Sequence, residues 1–334
     1  MHYPTLGIDV SQATLAVALM VTDGVMRHGN FSNDDKGFER LKRWVLHQLP
    51  GQEPGGIWAC LEATGRYSQA LAHYLVAEGW VEQVSVLNPS RIHAYARSQM
   101  RRSKNDKADA ALLAHFAATQ APPGWTPPSP QRQTLQELTR HRDNLLDMRQ
   151  QVRNRLQSGV RTEQIQQQLR EQDELLTRQI AEAEQAIAQQ IEQDDELHHQ
   201  FTLLCSIPGV GRILASHFLA EVPDITHFDN ADQLAAFAGL VPIHYQSGTS
   251  ERKGRLAKSG NVHLRKAFYM PALCAARHNP LIAAFVERLK AVGDKAKMTI
   301  VVAVMHKLLR LAYGVLKSNL PFDPNFAAKR HLAT

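Results

Sequence analysis

The sequence predicts a mixed α/β domain at the N-terminus, followed by a long helical segment and a mainly helical C-terminal domain. Three observations carry this. Over the first 120 residues, short apolar runs bounded by turn residues alternate with stretches of helical period. Five prolines within residues 121–130 then end that pattern. Beyond them the chain turns charged, glutamine-rich and heptad-like over 131–200, and changes again at Phe201.

Residues 6–9 read as a short apolar strand that ends on Asp9. Residues 13–21 make a second strand, Asp23-Gly24 is a hairpin turn signal, and residues 25–31 complete an antiparallel meander. Phe38, Leu41, Trp44, Val45 and Leu49 recur at helical spacing. Gly55-Gly56 precedes a fourth strand, 57–61, which delivers Glu62 at its end. A helix over 67–78 and a strand over 84–87 follow, and Asn88-Pro89 breaks the chain before the next helix. A meander followed by alternating helix and strand is the element order of a ribonuclease-H-like sheet, here a domain of residues 1–120.

The last helix of that domain opens with Asp106 and Asp109, three residues apart and therefore on one face. Arg101, Arg102, Lys104 and Lys107 crowd the same turn, as befits a site that holds phosphate beside a metal. The plainer alternative is that Asn105 or Asp106 caps the helix and Asp109 complements its dipole. If strands one and four are neighbours, Asp9 and Glu62 join the pair on one edge of the sheet. Four close carboxylates repel unless a divalent cation lies among them, and metal-assisted phosphodiester chemistry uses such a cluster.

Residues 121–130 are read as a linker and 131–200 as a coiled-coil segment. Leu138, Leu145 and Val152 recur at seven, Leu169, Leu176, Ala183 and Ile187 carry a second stripe, and Ser158-Gly159 separates two long helices. Arg132, Arg140, Arg142, Arg149, Arg153 and Arg155 make the first of them basic enough to lie along a nucleic acid. Residues 201–325 form the last domain. Its Pro208-Gly209-Val210-Gly211 turn between two helices matches a helix-hairpin-helix, where Gly209 and Gly211 expose backbone N–H groups to a phosphate; an ordinary tight turn between core helices is the alternative. Residues 237–261 read as a glycine-punctuated basic loop, with Ser247 before a glycine and Arg252, Lys253, Arg255 and Lys258 close by. A serine hydroxyl attacks phosphorus only when its proton is removed and cations stabilise the pentacoordinate centre. Helices over 263–277, 280–291 and 297–317 carry this loop, and the last dozen residues are expected to be weakly ordered.

A net charge of +6 favours a polyanionic partner. The expected setting is the reducing cytoplasm, in association with the nucleoid: the cysteines are three and scattered, no signal peptide is evident, and no apolar run approaches a membrane span.

Five ordered blocks carry a family resemblance: Gly7-Ile8-Asp9-Val10-Ser11, Leu61-Glu62-Ala63-Thr64-Gly65, Lys104-Asn105-Asp106-Lys107-Ala108-Asp109-Ala110, Pro208-Gly209-Val210-Gly211, and Ala238-Gly239-Leu240-Val241-Pro242 with Ser247-Gly248. Over nearly its whole length the chain resembles the one-ten insertion-sequence family of transposases, also described as bridge-RNA-guided recombinases. The resemblance implies a RuvC-like domain whose DEDD tetrad is Asp9, Glu62, Asp106 and Asp109, binding Mg²⁺. It implies a coiled-coil insertion and a C-terminal transposase domain with Ser247 as nucleophile, a choice over Ser250 and Ser259 that rests on the Ser-Gly match. The implied partners are donor and target DNA, an element-encoded bridge RNA that selects them, and further copies of the chain, as a dimer or tetramer whose protomers complete each other's sites. The expected activity is cleavage and rejoining of DNA through a phosphoserine. The rival expectation is a metal-dependent nuclease or junction resolvase that uses the tetrad alone, and a weaker one is a non-catalytic nucleic-acid-binding protein.

Overall fold

Strand β1 (Thr5–Val10) is the centre of the N-terminal unit because it is buried along nearly its whole length. The computed structural model describes residues 3–21, 24–49, 56–63, 65–100, 105–247, 250–256, 260–293 and 296–325, with backbone only at residue 66 and over 242–247 and 250–255. The chain divides into two compact units, Met1–Pro127 and Pro128–Thr334.

In the first unit β1 pairs antiparallel with β2 (Thr14–Met20), which pairs antiparallel with β3 (Met26–Ser32). Asp23, in the turn signal between β2 and β3, lies outside the described residues. After helix α1 (Asp35–Gln48) come β4 (Trp58–Glu62), α2 (Arg66–Glu78), β5 (Gln83–Leu87), α3 (Pro89–Ser98) and α4 (Asp106–Gln120). The strand order is β3-β2-β1-β4-β5, with β4 parallel to both β1 and β5. Strands one and four are therefore neighbours.

Alternation along the strands divides the unit into two layers. Leu6, Ile8, Leu15, Val17, Ala59 and Leu61 join one apolar cluster with Phe38, Leu41 and Val45 of α1 and Leu71 and Leu75 of α2. The opposite face carries small residues: Ala16 and Ala18 pack against Ala110 and Ala114 of α4. Gly7 belongs to that face, where an added Cβ would sit 2.0 Å from the Ala110 carbonyl oxygen and 2.3 Å from the Ala114 nitrogen. Only the lack of a side chain lets the helix come so close. The proline-rich stretch is fastened to β5: the Pro122 and Pro123 carbonyls accept from Gln83 Nε2 (2.7 Å) and Ser85 Oγ (2.9 Å), and Trp125 N donates to Val84 O (2.6 Å).

The second unit opens with two long helices, α5 (Pro130–Gln157) and α6 (Glu163–Glu192). Leu145 and Val152 pack on Leu169, Leu176, Ile180 and Ala183. Then follow α7 (Asp195–Cys205), α8 (Arg212–Glu221), a 3₁₀ turn (Ile225–His227), α9 (Ala231–Ala238), strands β6 (Pro242–Ser247) and β7 (Ser250–Leu256), and helices α10 (Val262–His278), α11 (Pro280–Ala291) and α12 (Lys297–Ser318). One large core unites Leu135 of α5, Ile187 and Ile191 of α6, and the apolar faces of α7 to α12.

Three findings add to the reading of the sequence. The basic loop of 237–261 contains an antiparallel hairpin, its mostly polar strands paired through their backbones from Pro242 with Leu256 to Ser247 with Ser250. The α5 arginines are largely engaged within the unit: Arg140 pairs with Glu221 (2.7 Å), Arg142 with Glu184 (2.7 Å) and Arg153 with Asp173 (2.6 Å), while Arg132 donates to the Leu219 carbonyl (3.0 Å). Helix α12 is long and apolar enough to cross a membrane by length and composition, contrary to the expectation from sequence, yet Val304, Met305, Leu308, Leu309, Ala312, Val315 and Leu316 are buried in the unit's core. The last nine residues, within the stretch expected to be weakly ordered, lie outside the described residues.

Candidate functional site

The residues singled out in the sequence fall in both units, and each unit is taken by itself. In the first, β1 and β4 run parallel with Gly7 opposite Cys60 and Ile8 opposite Leu61, so Asp9 and Glu62 follow one residue on in adjacent strands. Asp9 is also opposite Ala16 of β2. Since Ile8 and Leu61 face α1 and α2, alternation puts Asp9 and Glu62 on the α4 face.

The register of α4 on β1 completes the placement. Thr5 Oγ1 donates to the Ala114 carbonyl (2.9 Å), and Gly7 lies against Ala110 and Ala114. Two strand residues rise about 6.8 Å and four helix residues about 6 Å, so a further step along both brings Asp9 level with Asp106. Asp106 lies four residues before Ala110, which packs on Ala16 and Ala18 of β2. Asp109 lies four before Leu113, which clusters with Cys60 of β4. Asp106 thus shares the stripe over β1 and β2, and Asp109 the stripe over β4.

All four acids accordingly occupy one face and one end of the sheet. Among the described residues, however, no three His, Cys, Asp or Glu side chains stand close enough together to hold a metal ion. Carboxylate oxygens are hard donors that suit Mg²⁺, an ion that keeps several waters and takes one or two carboxylates along with substrate phosphate. That donor chemistry fits an open pair of acids.

Asn105 caps α4, its Oδ1 accepting from Ala108 N (2.8 Å), so capping is not the task of Asp106. Of the basic residues expected here, Lys107 is exposed on α4; Arg101, Arg102 and Lys104 lie outside the described residues. His28 of β3, in the strand row of Ala18 and Gly7, was not anticipated. Its Nδ1 is buried with no hydrogen-bond partner among the described residues, and burial followed by the Lys107 charge depresses its pKa.

In the second unit Ser247 pairs with Ser250 at the tip of the hairpin, and Gly248 and Thr249 between them lie outside the described residues. Tyr245 pairs with Arg252 and Ile243 with Arg255, so one strand residue, His244, opposes both Lys253 and Gly254. That bulge restores alternation. By backbone register Ser247, Ser250, Arg252 and Arg255 then occupy one face of the hairpin. Lys258 and Ser259 lie outside the described residues.

The segments that lead into and out of the hairpin meet outside it. Asn261 N donates to Phe237 O (2.7 Å), and Gly260, at φ +106, approaches so closely that an added Cβ would be 2.5 Å from Gly239 N. Beneath it Glu221, its side chain 1% exposed, accepts from Arg140 Nε (2.7 Å) and Nη2 (2.9 Å) and from Asn261 Nδ2 (2.7 Å). Burial pushes its pKa up, but the Arg140 and Asn261 hydrogen bonds and the Arg140 charge outweigh that and hold it below the ordinary glutamate value. Sequence reasoning passed over Glu221, though a carboxylate closing an apolar helix was a visible signal.

The two glycines of the 206–211 turn differ in kind. Gly209, at φ +99, packs against α10, where a Cβ would meet Ala275 Cβ at 2.5 Å. Gly211 precedes α8 with open space around it and no side-chain cap. Buried Asn279 locks the turn by donating to Pro208 O (3.1 Å) while capping α11. Gly209 is thus explained by packing, and Gly211 is the one whose surroundings leave room for a phosphate. A separate cavity of about 690 Å³ between α6, α7 and α8 is lined by Ile187, Ile191, Phe201 and Ile213 among others, and by none of the acids or serines above.

Comparison with known proteins adds the following. A family model described as Transposase IS116/IS110/IS902 family matches residues 201–287, and a DEDD-type IS110 model described as Transposase matches residues 6–165. The pilin gene-inverting protein of Moraxella bovis is 33% identical over 320 residues, covering 95% of this chain and 97% of that protein. Its namesake from Moraxella lacunata matches to the same extent. The transposase for insertion sequence element IS1111A of Coxiella burnetii is 44% identical over 73 residues, 22% of this chain and 20% of that protein.

Proposed function

The chain belongs to the IS110 family of transposases, and on that premise we propose that it recombines DNA through a covalent bond to Ser247, assisted by a metal-binding acidic tetrad in a RuvC-like first unit. Transposases act on DNA, and a DEDD-type domain implies a divalent metal in general; Mg²⁺ is one that carboxylate oxygens suit. The observation that carries the reading is the register bringing Asp9, Glu62, Asp106 and Asp109 to one face and one end of the sheet.

Asp9 and Glu62 would hold the ion, with Asp106 and Asp109 on the flanking helix. When bound, it supplies positive charge to the phosphate oxygens as bonds form and break. Ser247 Oγ gives up its proton to a base and forms a bond to phosphorus, and the departing DNA oxygen takes a proton. Attack by another strand's hydroxyl reverses these steps, freeing the serine and joining that strand without an external energy source. Arg252 and Arg255, placed by the bulge on the same hairpin face as Ser247, stabilise the charge that develops. The protein reads backbone while a bridge RNA chooses the sequence, in a cytoplasmic, nucleoid-associated dimer or tetramer, and the net charge of +6 supports such partners.

The test is cleavage of a cognate DNA by the full chain in Mg²⁺. Asp9→Asn and Ser247→Ala should each slow strand exchange by at least about 100-fold while leaving DNA affinity nearly intact. Hydrolysis that survives Ser247→Ala identifies the alternative, a metal-dependent nuclease or resolvase.

A further inference from the structure

Glu221 lies far in sequence from both Ser247 and the acids, yet four side-chain hydrogen bonds converge on its buried carboxylate: two from Arg140, one from Asn261 and one from Gln136 Nε2 (3.4 Å). A charge so deeply buried is costly to leave unpaired, and its partners come from two separate elements. Arg140 and Gln136 belong to α5. Asn261, the N-cap residue of α10, lies on the segment that leaves the hairpin, and both its side-chain amide and its backbone N–H are engaged there. Its Oδ1 caps α10 at Leu264 N (2.9 Å), its Nδ2 reaches Glu221, and its N–H closes the hairpin base on Phe237 O. Arg265 of α10 adds a bond to Ala238 O (3.3 Å) at the end of α9.

We infer that Glu221 is a positioning residue for the Ser247 hairpin: through Asn261 it seats the base of the hairpin on α5, so that the serine tip is carried by the long helix and not by a free loop. This rests on the reading of Ser247 as nucleophile and deepens it. The physical reason is lever length. Ser247 is five residues from the start of β6, about 17 Å along an extended strand, so a small rotation at the base displaces the hydroxyl by ångströms. Catalysis by orientation is sensitive to displacements of that size.

Glu221→Ala strands the Arg140 guanidinium and confounds folding with positioning, so the informative change is at Asn261. Asn261→Ser keeps an acceptor for the α10 cap but removes the donor to Glu221. Asn261→Asp also keeps the cap, and sets a second carboxylate against Glu221. In the full chain, backbone amides of residues 242–256 should lose hydrogen-exchange protection, and the rate of covalent DNA attachment should fall about tenfold in Asn261→Ser and further in Asn261→Asp. DNA affinity should stay within about twofold of wild type in both. Unchanged exchange and unchanged attachment would overturn the inference, as would a loss of affinity parallel to the loss of rate, which marks general damage. If wild type forms no covalent attachment, it is the serine reading that falls, and hydrogen exchange over 242–256 alone decides the seat.

Discussion

Gly7 sets the distance between α4 and the sheet, and with it the height of Asp106 and Asp109 above Asp9. Gly7→Ala places a methyl 2.0 Å from the Ala110 carbonyl, and both neighbours are backbone that cannot rotate away. A loss of about 3 kcal/mol is expected, read as a lowered denaturation midpoint, together with weakened metal dependence of cleavage. Glu221 and Asp143 predict how the fold responds to acid. Asp143 is half-buried against His217 (3.2 Å); burial raises its pKa, but the His217 hydrogen bond and the His217, Lys266 and Arg142 charges prevail and lower it. Glu221 is lowered in the same sense. A carboxyl with a depressed folded-state value contributes stability that is fully present above its unfolded value, about 4, and is lost as pH falls through the folded value. Urea midpoints should therefore be flat around neutrality and fall below about pH 4, and Glu221→Gln should flatten part of that acid limb. An unchanged acid limb in Glu221→Gln would show that Glu221 titrates normally. Of these residues only the four acids stood out in the sequence, Asp9 and Glu62 because each ends an apolar run, and Asp106 and Asp109 because they share the first turn of a helix. Glu221, Asp143 and His28 gain their meaning from partners that only the fold brings near.

At the scale of elements, periodicity served well wherever one face of an element is buried. The β1–β3 meander, β4, β5, α2 and helices α10 to α12 stand close to the boundaries read from the sequence. The β6–β7 hairpin escaped that reading because polar and basic residues dominate it, so its strands show little apolar contrast and its pairing rests on backbone bonds. The partners of the α5 arginines were hidden for a related reason. A basic stripe looks solvated in sequence, whereas Glu184, Asp173 and Glu221 supply the countercharges from other helices. The two turn glycines separate by experiment. Gly209→Ala combines φ +99 with a clash against Ala275 and should cost about 2 kcal/mol or more. Gly211→Ala meets open space and should cost about 1 kcal/mol or less, so a drop in DNA affinity there, measured by fluorescence anisotropy, would report on phosphate binding. Unaltered affinity would leave the turn a purely structural one.

Across the whole molecule the division of labour follows the two units. The first places carboxylates at the end of a sheet, and the second presents a serine on a hairpin braced by a buried ion pair. Asp9, Glu62, Asp106 and Asp109 belong to the first unit and Ser247 to the second. In the proposed reaction the Ser247 oxygen and not water attacks the DNA phosphate while Asp9, Glu62, Asp106 and Asp109 assist. The direct measurement is mass spectrometry of the peptide spanning residues 242–256 after the full chain has been stopped in mid-reaction with DNA and Mg²⁺. The expected result is a nucleotide joined to Ser247, absent in Ser247→Ala and greatly diminished in Asp9→Asn. Cleaved DNA with an unmodified peptide, its new ends carrying oxygen from labelled water, would contradict it.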